Sequence, residues 1–216
     1  MKLSERLKQD AEDIWNDIYQ HPFVVELCKG TLPIEKFKYY VLQDYNYLIN
    51  SIKNFSLLAS KAKTTSMLQE LVEIAAIEAK GEFSAYNRLL KKLDLSIEDA
   101  KNSKRSLAEV SYSSFLLSTT ENGSFEEGIA AVLPCYWSYA EIAKCHREKI
   151  LKNSNQIYKE WASYYLEEEY LELVERIKKS VDNIEKDFPY DKLRSAFINS
   201  SRYEYEFWRE MNKVRD

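Results

Sequence analysis

The chain has 216 residues and a formal net charge of −4, with 31% charged and 45% hydrophobic residues. It carries no block of lysine and arginine, so direct binding to the phosphates of nucleic acid is disfavoured. No apolar run approaches the roughly 18 residues that suggest a membrane span, and the N-terminus is too charged for a signal peptide, so we expect a cytoplasmic protein.

The helices are predicted from apolar residues at helical spacing and from cap signals. Only 4 glycines and 4 prolines are present, which favours long elements with few turns. In chain order we predict helices over residues 3–19, 22–30, 33–62, 64–93, 107–121, from 124 through 142, 157–166, 168–186 and 190–213, with a short capped turn at 96–99. Strand-like alternation, linkers and repeats are absent from the sequence, so we expect one all-helical domain over residues 1–216.

The segment LPCYWSYAEI places a proline and a thiol inside one of these helices. Ser124 and Glu127 form the capping box that opens the helix. Pro134 lacks an N–H donor, so we expect the helix to bend or loosen there. Cys135 and Tyr139 are four residues apart and share a face, which makes them a candidate pocket wall. The alternative is that Cys135 only packs as a small buried residue.

Two other helices carry carboxylates next to aromatic or apolar positions. Asp44 and Tyr47 share a face near a core-facing stripe, where a carboxylate must be paired or functional; the alternative is a solvated aspartate. Glu204 and Phe207 share a face in the last helix. Desolvation among aromatic residues would raise the pKa of Glu204 and favour acid–base catalysis; the alternative is an exposed glutamate. Sixteen tyrosines suggest a pocket that stacks on a planar ligand, although many fit helix packing.

Cysteine and histidine usage argues against a disulfide framework and against a metal site. Cys28, Cys135 and Cys145 are too few and too scattered for such a framework. The two histidines, His21 and His146, do not combine with cysteines at a zinc-binding spacing. We therefore expect no metal and no cofactor.

Four ordered segments carry a resemblance to a known family: HPFVVELCKGTLPIEKFKYYVLQDYNYL, LPCYWSYAEI, WASYYLEEEY and SSRYEYEFW. Together they resemble the thiaminase II (TenA) family of aminopyrimidine aminohydrolases over nearly the whole chain. The segment GEFSAY, residues 81–86, departs from the family pattern, which often has a histidine there. Cys135 places the chain with the cysteine-containing branch.

The resemblance implies a heme-oxygenase-like helical bundle that assembles as a homotetramer and binds a small pyrimidine. It implies thiamin salvage, in which 4-amino-5-aminomethyl-2-methylpyrimidine is hydrolysed to the hydroxymethylpyrimidine and ammonia. Thiamin itself would be cut similarly into pyrimidine and thiazole. The pyrimidine preferred in the cell is left open.

The resemblance also implies residue roles. Cys135 would be the nucleophile, and Glu204 would protonate a ring nitrogen and later take the proton back. Tyr139 would position Glu204 by a hydrogen bond. The predicted substrate-binding residues are Asp44, Tyr47, Tyr112, Tyr139, Tyr165 and Phe207. The activation of Cys135 is left open, because an ionised Glu204 would raise the thiol pKa.

Two alternative functions compete with this hypothesis. One is a regulatory or non-catalytic pyrimidine-binding protein, and its DNA-contacting form is disfavoured by the acidic balance. The other is a heme or di-iron oxygenase on the same kind of bundle. Two histidines and the lack of paired Glu-x-x-His motifs disfavour that alternative.

Overall fold

Helices form all the regular structure within residues 1–213, which are the residues described by the computed structural model. In chain order they are α1 (Leu3–Asp10), α2 (Glu12–Gln20), α3 (Pro22–Lys29), α4 (Ile34–Ser60), α5 (Thr65–Ile77), a π-helical turn (Glu78–Glu82), α6 (Phe83–Lys92), α7 (Ile97–Asn102), α8 (Leu107–Asn122), α9 (Phe125–Cys145), α10 (Arg147–Lys152), α11 (Gln156–Tyr164), α12 (Glu168–Asp182) and α13 (Tyr190–Met211). The predicted all-helical class is confirmed.

The structure differs from the predicted elements at three places. The helix predicted over 3–19 is divided at Ala11, which leaves helical geometry at φ −106° and ψ 10°. The region 64–93 contains the π-helical turn, and α10 was not predicted at all. His146 separates α9 from α10 at φ −103° and ψ 14°, without a glycine or proline to signal the break. The other predicted ends agree within four residues.

The turn between α3 and α4 follows the predicted cap chemistry. Pro22 occupies the first helical position of α3, and Gly30 ends the helix in the left-handed region at φ 84°. The side chain of Asn153 covers the same turn: its Nδ2 donates to the carbonyls of Leu27 at 3.0 Å and Cys28 at 3.2 Å. The end of α3 is therefore tied to the segment that follows α10.

Helix α9 runs through the centre of the bundle and packs against α8, α12 and α13. The predicted capping box forms, with Ser124 Oγ accepting from the Glu127 N–H at 3.1 Å and Glu127 Oε2 accepting from the Ser124 N–H at 3.1 Å. Pro134 lies within α9 and does not end it. Most side chains of α9 on both sides of Pro134 are buried, so Cys135 lies on a helix that the rest of the bundle encloses.

Trp137, two residues after Cys135, packs into the core of the bundle. Its ring contacts Trp15 edge-on at a centroid distance of 5.3 Å, and the ammonium groups of Lys8 and Lys178 lie 4.8 and 4.3 Å from its centroid. Trp15 in turn donates from Nε1 to Ser201 Oγ on α13 at 2.9 Å. These contacts fix α9 relative to α2 and α13, the helices that flank it.

Among the helices of residues 1–213, none is both long enough and apolar enough to cross a membrane.

Substitution of Gly30 by alanine should destabilise the fold. A Cβ at Gly30 would lie 2.2 Å from Asn153 Oδ1, and the positive φ strains any side-chain-bearing residue. We expect the free energy of unfolding to fall by about 1–3 kcal/mol, measured by urea denaturation. Gly81→Ala is the matched control, because a Cβ there meets no heavy atom within 4 Å. Equal effects of the two substitutions would contradict this account of the turn.

Candidate active site

A cavity opens between α4, the π-helical turn, α9 and the segment joining α11 to α12. Its empty volume is about 420 Å³, which includes the space at its mouth that is open to solvent. Its walls are formed by Tyr40, Asp44, Tyr47, Leu48, Glu78, Glu82, Cys135, Tyr136, Tyr139, Tyr165 and Tyr170. Aromatic rings and carboxyl groups thus dominate the lining, and within residues 1–213 no lysine, arginine or histidine contributes to it.

Cys135 presents its thiol to this cavity from the middle of α9. The residue is half-buried, whereas Cys28 is buried and Cys145 exposed, and all three cysteines are free thiols. Burial raises the pKa of the Cys135 thiol well above its ordinary value, and negative charge on Glu204 raises it further. In the free protein the sulfur is therefore protonated at neutral pH.

Glu204 lies next to Cys135 on α13 and is 2% exposed. Burial raises the pKa of its carboxyl group to about 7. The Tyr112 hydroxyl and the Cys135 thiol lower that pKa as hydrogen-bond donors, but they only partly offset the effect of burial. A carboxyl group with a pKa near neutrality can give and take a proton at physiological pH.

Asp44 contributes a second titrating carboxyl group from α4. Burial raises its pKa to about 8, and the charges of Glu82 and Glu204 act in the same direction. The preceding residue, Gln43, anchors this part of α4: its Oε1 accepts from the Ser106 N–H at 2.7 Å, and its Nε2 donates to the Lys104 carbonyl at 3.1 Å. The amide of Gln43 thus ties α4 to the backbone of the segment before α8 and so holds Asp44 in place.

Glu78 and Glu82 line the cavity and were missed by the sequence analysis. Both lie on the π-helical turn, four residues apart. Burial raises the pKa of Glu78 to about 8, and the charge of Glu82 raises it further. A signal was present, because Glu78 follows the buried Leu71 and Ile74 at helical spacing and so continues the core face of α5.

A cluster of aromatic rings closes the cavity on the side of α11 and α13. The ring of Tyr139 lies 4.9 Å from that of Tyr165 and 5.3 Å from that of Trp208. Tyr40 stacks on Trp208 at 5.4 Å, and its hydroxyl lies 3.4 Å from that of Tyr139. Within residues 1–213 the Tyr139 hydroxyl forms this contact and not the predicted hydrogen bond to Glu204. Tyr112 occupies that position instead.

The structure brings five of the predicted site residues together in the cavity wall: Asp44, Tyr47, Cys135, Tyr139 and Tyr165. Glu204 and Tyr112 are not part of the lining; Glu204 is next to Cys135 and Tyr112, and the Tyr112 hydroxyl also shares a 2.9 Å hydrogen bond with Ser200 Oγ. Phe207 does not line the cavity; its ring packs against Tyr40 and Trp208. Its predicted contact with substrate stays a prediction.

Residues 1–213 hold no group of three or more histidine, cysteine, aspartate or glutamate side chains arranged to bind a metal ion.

Comparison with known proteins places the chain in a family. The TENA/THI-4/PQQC family model matches residues 8–213. The chain belongs to this family. The resemblance found from the four sequence segments is therefore confirmed.

Two relatives and two solved structures illustrate the similarity to the TENA/THI-4/PQQC family. The chain is 34% identical to the aminopyrimidine aminohydrolase of Bacillus subtilis, covering 96% of this chain and 89% of the relative, and 32% identical to that of Helicobacter pylori, covering 96% and 97%. The structure of a TenA homologue from P. horikoshii OT3 superposes with a TM-score of 0.94 at 44% identity, covering 98% of each chain. A protein with a heme oxygenase-like fold from Shewanella denitrificans, 17% identical, matches with a TM-score of 0.79 over 97% of this chain and 91% of its own. The predicted heme-oxygenase-like bundle is confirmed, and the predicted hydrolysis of a C–N bond agrees with the names of the two relatives.

Replacing Glu78 by glutamine should change how folding stability depends on pH. The folded state holds the Glu78 proton more tightly than the unfolded chain, so this contribution to stability is present below pH 4.5 and is lost as the pH rises towards 8. The melting temperature of Glu78→Gln relative to wild type should therefore rise between about pH 5 and about pH 8. Scanning calorimetry measures this difference.

The matched control is Glu148→Gln, which makes the same charge change at an exposed position of α10. A melting-temperature difference for Glu78→Gln that stays constant across the pH window would contradict the raised pKa.

Proposed function

We propose that this chain is an aminopyrimidine aminohydrolase of thiamin salvage, which replaces the amine of 4-amino-5-aminomethyl-2-methylpyrimidine by hydroxyl. The observation that carries the proposal is the pairing of Cys135 with Glu204, whose pKa lies near 7, beside a cavity walled by tyrosines. The names of the Bacillus subtilis and Helicobacter pylori relatives support the same reaction class. Thiamin, with its thiazole as the leaving group, is a second proposed substrate of the same chemistry.

Asp44 is proposed to bind the amino edge of the ring. A carboxyl group with a pKa of about 8 is mostly neutral at physiological pH, so it carries one O–H donor and one carbonyl acceptor. A 4-aminopyrimidine offers the complementary pair, an N–H donor beside a ring-nitrogen acceptor. Tyr139 and Tyr165 present ring surfaces on which the flat heterocycle would stack.

The raised pKa of Cys135 indicates that the thiol and not a preformed thiolate enters the reaction. We propose that the S–H bond adds across a C=N bond of the ring: sulfur forms a bond to carbon, and the ring nitrogen gains a proton. Glu204 would give its proton to that nitrogen and accept the thiol proton. This exchange needs an acid of near-neutral pKa adjacent to the sulfur, which Glu204 supplies.

The adduct would then release the amine. The C–N bond of the methylene breaks with its electron pair leaving on nitrogen, and the electrons of the dearomatised ring form a double bond to the methylene carbon. Water adds to that carbon, the C–S bond breaks, and the aromatic ring and the thiol are restored. The net change is the exchange of ammonia for hydroxyl, so Cys135 and Glu204 end the cycle as they began it.

Cys135→Ser should abolish turnover while leaving the pyrimidine-binding cavity in place. We expect ammonia release from the aminomethylpyrimidine to fall at least about 1,000-fold, because the covalent step is lost. Cys145→Ser, at an exposed position, is the matched control and should stay within about threefold of wild type. Near-wild-type turnover by Cys135→Ser would remove the covalent mechanism, whereas no turnover by folded wild-type protein would favour the non-catalytic binding role.

Glu204→Gln should lower kcat by about 100- to 10,000-fold, because the amide retains the shape of the side chain but cannot exchange a proton. Glu206→Gln is its control on the same helix, since Glu206 forms a surface ion pair with Arg209. Steady-state kinetics with the aminomethylpyrimidine distinguish the two. A kcat for Glu204→Gln within threefold of the control would rule out the acid–base role.

The homotetramer and the cytoplasmic location implied by the family resemblance stay predictions. Light scattering coupled to size-exclusion chromatography measures the first directly, and fractionation of the source cells measures the second.

A further inference from the structure

The carboxyl groups of Glu78 and Glu82 have no role in the chemistry proposed for Cys135 and Glu204. They lie on the π-helical turn at Glu78–Glu82, and both line the cavity. π-helical turns are rare and occur often at functional sites. Their side chains reach the cavity from a different element than Glu204, which comes from α13.

Each of the two carboxyl groups is held by a neighbour that leaves capacity for a ligand. Ser51 Oγ donates to Glu78 Oε2 at 3.3 Å and contacts the Tyr136 hydroxyl at 2.7 Å. Hydrogen bonds from Tyr136 and Ser51 lower the pKa of Glu78 but only partly offset the effect of burial. The Tyr164 hydroxyl donates to Glu82. Glu78 is 2% exposed, yet its Oε1 has no hydrogen-bond partner within residues 1–213. An unpartnered buried carboxylate oxygen is costly, so it indicates a donor that arrives with a ligand.

A second polar group at the cavity points to the same conclusion. Tyr47 is 9% exposed and lines the cavity; its hydroxyl lowers the pKa of the Cys135 thiol as a hydrogen-bond donor, and no donor within residues 1–213 bonds to its oxygen. The cavity wall contains three carboxyl groups, from Asp44, Glu78 and Glu82, and among residues 1–213 no basic side chain lines it. A ligand that carries a positive charge and N–H donors would satisfy both deficits, and its charge would lower the pKa of Glu78 so that the proton held in the free protein is released.

The substrate of the proposed reaction has such a group. A primary amine on a methylene is protonated at neutral pH, as the pKa of about 10 of a lysine side chain illustrates. Because the methylene is bonded to the ring that Cys135 attacks, the ammonium group must lie near Cys135. Glu78 is near enough to Cys135 for its charge to raise the thiol pKa. Glu78 and Glu82 therefore line the same cavity as the sulfur that the substrate must approach.

We propose that Glu78 and Glu82 form a cation subsite that binds the protonated leaving amine of the substrate and discriminates against the neutral hydroxymethyl product. This inference rests on the proposed aminohydrolase function. The subsite would also explain why the product leaves. In the product a neutral hydroxyl group replaces the ammonium group, so the ligand loses the charge that bound it to Glu78 and Glu82.

The test compares the binding of amine and alcohol in a background that cannot turn over. Dissociation constants of the aminomethyl- and hydroxymethylpyrimidine are measured by calorimetry for Cys135→Ser alone and combined with Glu78→Gln or Glu82→Gln. We expect each glutamine to weaken amine binding by about 10- to 100-fold, the effect of one charge-assisted hydrogen bond, and to change alcohol binding by less than threefold. Adding Glu148→Gln instead should change neither.

The outcomes separate this inference from the function on which it rests. If the glutamine variants weaken both ligands equally, or neither, the subsite is overturned while the aminohydrolase stands on wild-type turnover. If wild-type protein neither turns over nor binds the aminomethylpyrimidine, the proposed function fails and the subsite fails with it. Glu78→Asp in the Cys135→Ser background should recover part of the preference for amine over alcohol, which a change of cavity shape alone would not do.

Discussion

The burial of several carboxyl groups around one cavity without a basic partner is the constraint on which the rest of this structure depends. Burial raises the pKa of Asp44, Glu78 and Glu204 to values of about 8, 8 and 7. Elsewhere carboxylates are paired at the surface, as Glu141 is with Lys8 at 2.5 Å and Glu126 with Lys63 at 2.7 Å. In the free protein, protons therefore take the place of counter-cations in the cavity, and the carboxyl groups can give and take protons at neutral pH.

The same constraint sets the state of the thiol. A negative potential from Glu204 and burial on α9 keep Cys135 protonated, so its sulfur is a poor nucleophile until a substrate is present to take the proton. Thiolates, not thiols, react with oxidants, so a neutral sulfur in an enclosed aromatic cavity is also protected. Activation by the substrate and protection in its absence are two consequences of one electrostatic arrangement. The difficulty noted from the sequence, that Glu204 would raise the thiol pKa, thus becomes part of the proposed mechanism.

Local chemistry allowed much of the fold to be predicted, whereas tertiary contacts decided the rest. The helix end at Gly30 and the capping box at Ser124 depend on residues a few positions apart, so both could be predicted from the sequence. The break at His146 has no glycine or proline to mark it, and the His146 ring contacts the carbonyl of the distant Tyr19 at 2.7 Å. The π-helical turn contains Gly81, but a single glycine inside a helical pattern does not predict a π-helix. Cys135, Asp44 and Glu204 were found because reactive side chains stood out on apolar or aromatic faces and because the family motifs contain them. Glu78 stood on such a face too, but an isolated glutamate in a charged stretch resembles ordinary helix surface.

The tyrosines differ in whether their hydroxyl groups donate to a backbone carbonyl of another segment. The hydroxyl of Tyr86 donates to the Val41 carbonyl at 2.8 Å, that of Tyr158 to Leu32 at 2.9 Å, and that of Tyr170 to Tyr136 at 3.0 Å. These bonds cross between segments and rigidify the helices that form the wall. Tyr47 lines the same wall without such a partner among residues 1–213. Since a buried hydroxyl left unpaired costs stability, the bonds of the other tyrosines maintain a cavity in which the Tyr47 oxygen is left to accept a hydrogen bond from a ligand.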